Sequence, residues 1–401
     1  MDPLPAYGAL VLMALTPVYA GAYAGLTYPP KTGHRPDDRD ERVHKEFFSF
    51  SDAKWYPVVG SVTLVSLYAV LKYVSKDVIN VLLSANFVII GYFAAVEVAI
   101  DALGWSLGRP LLGSFLLALN KVGSGSANKS RSGDSDPIFK LRFGYTHAVI
   151  WVVVAALTAL YAFSKHWILS NLLAAAFSIT AIKLLSLDSF STGIMLLAGL
   201  FLYDVFWVFG TEVMVTVAKG LDVPIKVVFP KNVTAALEYG LFNNPKDVGF
   251  TMLGLGDIVI PGIFIALCLS YDHHKFLKTA SKATKHSRSF PTPYFTVCIV
   301  NYVIGLVLTI YVMHTFKAAQ PALLYLSPAC IFSALSVAWF LGDLKGLFAF
   351  EAEGSILAET SAKAGKSEKR ERRKSVSVKR GKGEAKAGGR GRKRSASIKP
   401  E

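Results

Sequence analysis

Long apolar blocks alternate with polar segments along most of the chain, and this pattern is the first guide to its fold. Each block is close to the roughly 20 apolar residues that a helix needs to cross a bilayer. The predicted spans are residues 4–27, 58–74, 78–103, 143–163, 168–185, 190–217, 248–269, 294–314 and 319–341. Together they predict an all-α polytopic membrane protein with about nine transmembrane helices.

Composition favours one embedded domain followed by a polar tail. Of the 401 residues, 52% are hydrophobic, and they are concentrated in the long blocks. Residues 1–349 are therefore predicted to form the membrane domain. Residues 350–401 are rich in Lys, Arg, Ser, Gly and Glu, a composition that predicts a disordered tail. Much of the formal charge of +15 belongs to this tail.

Two related basic segments of the tail are typical of sites for basophilic kinases. Their candidate phosphorylation sites are Ser375, Ser377, Ser395 and Ser397. The basic residues would also attract anionic lipid, and phosphorylation would weaken that attraction. A solvated charged tail with no single role is the alternative. Nucleic acid is not expected as a partner, because the body of the protein is embedded in the membrane.

The charge around the spans indicates the side of the membrane on which each end lies. No basic residue precedes the first span, whereas basic residues are frequent after it and after the third and seventh spans. This bias predicts a luminal N-terminus and, after an odd number of spans, a cytosolic C-terminus. Segment 218–247 would then be luminal, although its four lysines argue weakly for the opposite side. Within it, Asn232 begins an Asn-Val-Thr sequon and is a glycosylation candidate.

One carboxylate, Asp257, lies near the middle of the apolar stretch 250–269. A charge at that depth costs several kcal/mol unless it is neutralised, paired or hydrated. Gly254 and Gly256 precede it and Pro261 follows within about one turn, and such residues weaken a helix and let another backbone come close. This context predicts a functional site with a hydrated cavity.

A second carboxylate, Asp204, lies in the preceding span, 190–217. Consecutive spans run antiparallel. Asp204 is about 14 residues, or roughly 21 Å, from the start of its span, and Asp257 is about 12 residues, or roughly 18 Å, from the end of its own. The two carboxylates should therefore lie at similar depth and form an aspartic dyad. A buried polar contact, or a proton-sharing pair in a transporter, is the alternative.

Other polar residues offer weaker candidates. Glu97 and Asp101 are four residues apart on one helix face, which favours solvent or a basic partner. Lys183 lies near a span end and is predicted to extend to the membrane surface. Asp272 is followed by His273 and His274, a cluster interpreted as surface residues rather than a metal site, since no further ligand is in sight.

A dyad of carboxylates can hydrolyse a peptide bond without help from another group. Two like charges about 3 Å apart cannot both ionise, so the pair shares one proton. The ionised member takes a proton from water and the protonated member donates to the carbonyl oxygen. Neither a metal nor a cofactor is expected, and the zinc-protease pattern H-E-x-x-H is absent from the sequence.

The substrate would have to be unwound, because a membrane helix hides its amide carbonyls in hydrogen bonds. The glycines around Asp257 favour an irregular backbone that could pair with the substrate as a strand. A further segment, Gln320-Pro321-Ala322-Leu323, opens the last span toward the luminal face. It could line the same cavity.

Three ordered motifs carry a resemblance to a known family. Tyr203-Asp204, Gly254-Leu255-Gly256-Asp257 and Pro321-Ala322-Leu323 resemble the Y-D, G-x-G-D and P-A-L signatures of intramembrane aspartyl proteases. The sequence around these motifs, from about the third span to the ninth, is more similar to the signal peptide peptidase family than to presenilin. The resemblance implies an aspartic endopeptidase with nine spans and Asp204 and Asp257 as its catalytic pair. Residues implied to shape the active site are Tyr203, Gly254, Leu255, Gly256, Gln320, Pro321, Ala322 and Leu323.

The resemblance also implies substrates, location and partners. The substrates would be type II membrane segments, notably remnant signal peptides, cleaved in the endoplasmic reticulum membrane. Homo-oligomers and membrane-protein degradation machinery are further expected partners. Family members often end in a dilysine retrieval signal, whereas this chain ends Lys399-Pro400-Glu401, so its retention would need another signal. Two other functions compete with proteolysis. The first is a proton-coupled transporter, which should show two related halves, but the glycine–aspartate break occurs once in the sequence. The second is an inactive adaptor that binds membrane helices.

Overall fold

The computed structural model describes residues 4–26, 45–73, 76–106, 115–119, 139–143, 145–211, 213, 217, 226–230, 249–279, 289–316 and 320–352. Contacts between Cα atoms group residues 1–350 as one compact unit and residues 351–401 as another. Almost all described residues belong to the first unit. Asn232 and the four candidate serines of the tail lie outside the described residues.

Nine helices of the described chain are long and apolar enough to cross a membrane, which confirms the predicted fold class. They are α1 (Leu4–Ala24), α2 (Phe50–Tyr73), α3 (Lys76–Ser106), α4 (Tyr145–Ser164), α5 (Trp167–Leu184), α6 (Phe190–Phe209), α7 (Gly256–Thr279), α8 (Pro293–Phe316) and α9 (Leu323–Phe340). A short helix, α10 (Leu344–Phe348), follows α9. The chain is therefore a multi-pass membrane protein.

Three small two-stranded sheets, which the apolar pattern did not predict, accompany the helices. The strands are β1 (Glu46–Phe48), β2 (Phe115–Leu119), β3 (Phe139–Phe143), β4 (Leu185–Leu187), β5 (Lys226–Pro230) and β6 (Phe250–Gly254). β1 pairs with β4 in parallel, whereas β2–β3 and β5–β6 are antiparallel. The β5–β6 hairpin leads directly into α7, the helix that carries Asp257.

Helix α7 is the most deeply enclosed of the nine spans and lies at the centre of the packing. It contacts α1, α5, α6, α8 and α9. Gly262 allows this close approach, since a Cβ atom there would lie 2.6 Å from Cδ1 of Ile182 on α5. The core therefore packs against α7 on several sides.

The two predicted spans that carry the aspartates differ from the helices of the structure. Residues 248–269 are not one helix, because Phe250–Gly254 forms strand β6 and α7 begins only at Gly256. Asp257 is therefore the second residue of a helix rather than near the middle of one. The other span, 190–217, ends as a helix at Phe209, where Gly210 is the C-cap and donates its N–H to the carbonyl of Phe206 at 2.9 Å.

The prediction for Lys183 is also wrong, whereas Glu97 and Asp101 do have a basic partner. Lys183 is buried on α5, and its ammonium group lies 2.8 Å from Glu97 and 2.5 Å from Asp101 of α3. A charge buried between helices must be paired, because transfer from water is otherwise costly. The three side chains thus form an ion cluster that joins α3 to α5.

The surface interpretation of Asp272 and His273 is wrong as well, because both side chains are buried. The carboxylate of Asp272 accepts hydrogen bonds from the backbone N–H groups of Tyr294 and Phe295 at 3.4 and 2.9 Å. These amides lie in the first turn of α8, where helix donors lack intrahelical partners. Asp272 on α7 therefore caps α8. Among the described residues, no group of His, Cys, Asp and Glu is arranged to hold a metal ion.

Candidate active site

Asp204 lies on α6 about 7.5 Å, or five residues, before the end of that helix. Its side chain is buried, with 4% exposure. One carboxylate oxygen, Oδ2, accepts a hydrogen bond from the backbone N–H of Leu323 at 3.1 Å. Leu323 is the first residue of α9, and its N–H is one of the donors that a helix start leaves without an internal partner. The start of α9 thereby orients the Asp204 carboxylate.

Asp257 occupies the first turn of α7 and is half-buried. A carboxylate is favoured at this end of a helix, where the N–H groups carry partial positive charge. The backbone of Gly254 lies beside its side chain, since a Cβ atom at Gly254 would lie 3.3 Å from Oδ2. Asp204 is close enough for its charge to act on Asp257. The structure therefore brings the two predicted aspartates together.

The antiparallel β5–β6 hairpin lies directly before Asp257. Asn171 of α5 clamps its outer strand: the side-chain amide donates to the carbonyl of Val228 at 2.6 Å and accepts from the N–H of Val228 at 2.9 Å. Both backbone groups of Val228 therefore point away from β6. Val228 is opposite Met252 in the register, so it forms the non-hydrogen-bonded kind of antiparallel pair.

That register leaves the far edge of β6 open for pairing. In a non-hydrogen-bonded pair the N–H and C=O of both residues face outward, so those of Met252 point away from β5. The next residue with the same direction is Gly254, which lies beside Oδ2 of Asp257. The edge of β6 consequently runs from an exposed Met252 toward the two carboxylates.

A lateral cavity of about 360 Å³ lies between α2 and α6, beside Asp204. Its lining residues are Pro57, Val58, Ser61, Gly199, Leu202, Tyr203, Phe206 and Trp207. Most of this lining is apolar or aromatic, and Leu202 and Phe206 are exposed on the outer face of the bundle. Such a cavity can accommodate apolar side chains that arrive from the lipid.

The remaining predicted residues surround the same place. Pro321 and Ala322 are buried at the turn before α9, and Gln320 is half-buried there. Leu255 is buried, whereas Gly256 is exposed and a Cβ atom added to it would meet no other atom within 4 Å. The structure thus assembles all three motifs around the two aspartates.

Sequence reasoning missed two residues that contact this site. They are Asn171, which holds β5, and Tyr302 of α8, whose hydroxyl group donates to the backbone carbonyl of Asp257 at 3.3 Å. Each is a hydrogen-bonding side chain within an apolar span, and polar residues in such spans are uncommon and often functional. That signal was present in the sequence, but it does not reveal the partner.

Nine membrane-spanning helices that bring two carboxylates together beside an open strand edge are the arrangement expected of an intramembrane aspartic protease. The family model described as "Signal peptide peptidase" matches residues 40–354. The chain is 39% identical to the signal peptide peptidase of Homo sapiens over 348 residues, which cover 86% of this chain and 83% of that protein. The mouse protein of the same name is 38% identical over 367 residues, covering 90% and 88%.

A more distant organism provides a similar match. A probable intramembrane protease of Schizosaccharomyces pombe is 37% identical over 314 residues, which cover 78% of this chain and 87% of that protein. The chain therefore belongs to the signal peptide peptidase family. It is an intramembrane protease of the aspartic type, and it acts on transmembrane substrates.

Proposed function

We propose that Asp204 and Asp257 are the catalytic pair and that the substrates are transmembrane segments of type II orientation, notably remnant signal peptides. The observation that carries the proposal is the proximity of these two carboxylates, one on α6 and one at the start of α7, beside the open edge of β6. The names of the human and mouse relatives support signal peptides as the substrate class.

The chemistry follows from the sharing of one proton by two close carboxylates. The ionised carboxylate accepts a proton from a water molecule as that water attacks the scissile carbonyl carbon. The protonated carboxylate donates its proton to the carbonyl oxygen as negative charge develops there. A tetrahedral diol results. As it collapses, one diol hydroxyl group returns its proton to the ionised carboxylate, and the protonated carboxylate donates its proton to the departing amine. The pair ends with one proton, as it began.

The open edge of β6 supplies a reason for the substrate to unwind. A helix in lipid cannot expose its amides, so the scissile bond is accessible only where other donors and acceptors replace the intrahelical hydrogen bonds. The outward N–H and C=O of Met252 offer such partners to an extended segment. A substrate strand paired there lies directly before Asp257, which places a peptide bond beside the dyad.

The other motif residues are proposed to shape this site. Leu323 and the turn Gln320-Pro321-Ala322 orient Asp204 through the backbone of α9. Gly254 and Gly256 keep the approach to Asp257 free of side chains, and Leu255 anchors the segment between them in the core. Tyr203 lies in the lateral cavity, where apolar substrate residues would enter.

Topology, location and partners belong to the same proposal. Charge bias supports a luminal N-terminus, a cytosolic C-terminus and a luminal Asn232 that can carry a glycan. The relatives named signal peptide peptidase support the endoplasmic reticulum membrane as the location. We also propose homo-oligomers, contact with membrane-protein degradation machinery, and a basic tail after residue 349 whose serines are phosphorylated.

The decisive experiment is cleavage of a signal-peptide-like transmembrane peptide by the purified full-length protein in detergent. Asp204→Asn and Asp257→Asn should each lower turnover by roughly 10³-fold or more, because acid–base catalysis is lost. Glu97→Gln is the matched control, since it neutralises a membrane carboxylate on α3 while Asp101 still pairs with Lys183. Retained turnover in either Asp variant would overturn the dyad. Binding of the peptide without cleavage by wild type would favour an adaptor.

A further inference from the structure

The backbone carbonyl of Asp257 lacks its usual helical donor. In an α-helix, the carbonyl of residue i accepts a hydrogen bond from the N–H of residue i+4. Residue i+4 of Asp257 is Pro261, which has no N–H and whose ring also crowds that carbonyl. A buried carbonyl without a partner costs about 1–3 kcal/mol, so this oxygen requires a donor from outside α7.

Tyr302 of α8 supplies that donor. Its side chain is fully buried, and its hydroxyl oxygen lies 3.3 Å from the carbonyl oxygen of Asp257. A buried phenol also needs a hydrogen-bond partner, because its hydroxyl group is otherwise stripped of water without compensation. Pro261 and Tyr302 are therefore complementary: the proline leaves one acceptor free, and the tyrosine on the neighbouring helix occupies it.

This bond acts on the turn that carries the side chain of Asp257. Asp257 is the second residue of α7, where helix ends are prone to fray, and Pro261 removes one of the bonds that would hold this turn to the next. Tyr302 ties the same peptide group to α8. The direction in which the Asp257 carboxylate points toward Asp204 therefore depends on a residue that bonds the backbone of Asp257.

We propose that Tyr302 is a positioning residue for the protease reaction, one that fixes the backbone of Asp257 and so aligns the dyad. The proposal rests on the assignment of Asp257 as a catalytic residue. Misplacement of a reacting group by about 1 Å can cost on the order of 10²-fold in rate. Loss of the hydroxyl group of Tyr302 should therefore reduce kcat while leaving substrate binding largely intact.

A second tyrosine of α8 provides a matched control. Tyr294 is also fully buried, and its hydroxyl group donates to Oδ2 of Asp343 at 3.4 Å. It lies eight residues before Tyr302, or about 12 Å along the helix and away from the dyad. Tyr294→Phe removes a buried hydroxyl group from the same helix without touching Asp257.

The test compares kcat, KM and thermal midpoint for wild type, Tyr302→Phe and Tyr294→Phe, with active sites titrated by a hydroxyl-containing transition-state mimic. For Tyr302→Phe we expect kcat to fall about tenfold and KM to change less than about twofold. For Tyr294→Phe we expect kcat per titrated site within about twofold of wild type. Wild-type kcat in Tyr302→Phe, or an equal loss of kcat in both variants, would overturn the proposal.

A double-variant cycle tests the link to the proline. In Pro261→Ala, the N–H of residue 261 can donate to the carbonyl of Asp257, so the helix supplies its own partner. In the wild-type background, which has Pro261, Tyr302→Phe should lower kcat about tenfold. In the Pro261→Ala background, the same substitution should change kcat by less than about twofold. An undiminished effect would contradict the pairing of Pro261 with Tyr302.

The two proposals fail in different ways. Asp257→Asn serves in the same assay as the reference for the dyad itself. If that variant turns over substrate, the dyad assignment is wrong and the role of Tyr302 falls with it. If it is inactive while Tyr302→Phe is fully active, only the role of Tyr302 is overturned.

Discussion

The backbone N–H of Leu323 and the carboxylate of Asp204 are joined by a hydrogen bond of 3.1 Å, although 119 residues separate them in the chain. The donor is an amide at the start of α9, where helices offer unpaired N–H groups to anions. The P-A-L segment thus reaches the site through its main chain, and the side chain of Leu323 contributes packing rather than the bond itself.

Replacement of Leu323 by proline should therefore reduce activity by removing this N–H. Proline is tolerated in the first turn of a helix, so the helix itself should survive. We expect Leu323→Pro to lower kcat/KM by about tenfold or more, because Asp204 loses a charge-assisted hydrogen bond worth roughly 1.5–3 kcal/mol. The measurement is peptide cleavage by the purified protein.

Leu324→Pro is the control for this variant. It places proline in the same turn, but the N–H it removes donates to the carbonyl of Pro321 at 3.2 Å rather than to Asp204. A comparable loss in the two variants would show that damage to the turn, rather than to the bond with Asp204, explains the effect.

The sequence identified the two aspartates because their chemistry is visible against an apolar background. A carboxylate in a long apolar block is costly wherever the block folds, so Asp204 and Asp257 were conspicuous without any knowledge of their partners. Their antiparallel spans then implied a common depth. The structure agrees on proximity, even though Asp257 lies at a helix start instead of within one.

The strand before Asp257 could not be predicted from the apolar pattern. A short, largely apolar run has the same appearance in a strand and in a membrane helix, because its residues are too few to show a period of 2 or of 3.6. Its partner, β5, lies 20 or more residues earlier in the chain. The sequence signal for a late helix start at Gly256 is the pair of glycines, Gly254 and Gly256, that follows Leu253.

Buried polar partners were equally invisible in the sequence. Asp272 caps a different helix, and Lys183 pairs with residues more than 80 positions away. The sequence favours a surface position for both residues, because an isolated charge near a span end usually reaches water. Long-range pairing makes their burial favourable, and no local pattern encodes such pairing.

Asn171 should be required for the shape of the substrate-binding edge. It bonds both backbone groups of Val228, so Asn171→Ala leaves a strand edge without its partner at a cost of about 1–3 kcal/mol. A looser β5–β6 hairpin should weaken strand pairing with the substrate. We expect KM to rise about threefold to tenfold with a smaller change in kcat, measured with the same transmembrane peptide.

The matched control for Asn171→Ala is Ser178→Ala on the same helix. Ser178 is also buried, but its hydroxyl group bonds only the carbonyl of Ala174 within α5, at 2.9 Å. Its removal should leave KM unchanged. A rise in KM for both variants would attribute the effect to α5 as a whole and not to the clamp on β5.

Gly256 should matter for activity and not for stability. A Cβ atom there would meet nothing within 4 Å, so Gly256→Ala creates no clash inside the enzyme. The space is the approach to Asp257, and a methyl group would obstruct a closely paired substrate backbone. We expect a thermal midpoint within about 2 °C of wild type and a loss of kcat/KM of about fivefold or more.

Gly262→Ala on the same helix should show the opposite behaviour. Its Cβ atom would lie 2.6 Å from Cδ1 of Ile182 and 3.3 Å from Cγ2 of Val18, so either the buried Ile182 side chain or α7 itself must move. Overpacking of this kind typically costs about 1–3 kcal/mol, which should lower the thermal midpoint clearly. Stability losses of equal size at Gly256 and Gly262 would refute the assignment of open space to Gly256.

Asp343 should stabilise the protein in a manner that depends on pH. It lies between α9 and α10, outside the membrane spans, and accepts hydrogen bonds from Tyr271 and Lys275, each at 2.7 Å. Burial alone would raise the pKa of Asp343, but the hydrogen bonds from Lys275 and Tyr271 outweigh that effect and hold the pKa below its usual value. The folded state therefore favours the ionised carboxylate.

The sign of the effect follows from linkage. A carboxyl group whose pKa is lower in the folded state adds stability above its unfolded pKa, about 3.9, and this stability disappears as the pH falls through the folded pKa. The side-chain amide introduced by Asp343→Asn cannot ionise. Its thermal midpoint in detergent should be below that of wild type at pH 7, and the difference should shrink progressively below about pH 4.

Tyr271→Phe separates the titration from the loss of one hydrogen bond. This variant keeps the carboxylate of Asp343 and its bond with Lys275, so it should lose part of the stability at pH 7 and still titrate. Because Asp343 joins α7, α8 and the end of α9, its ionisation should also tighten the bundle at the end opposite to Asp257. A midpoint difference between wild type and Asp343→Asn that stays constant from pH 7 to pH 3 would show that shape, rather than charge, accounts for the role of Asp343.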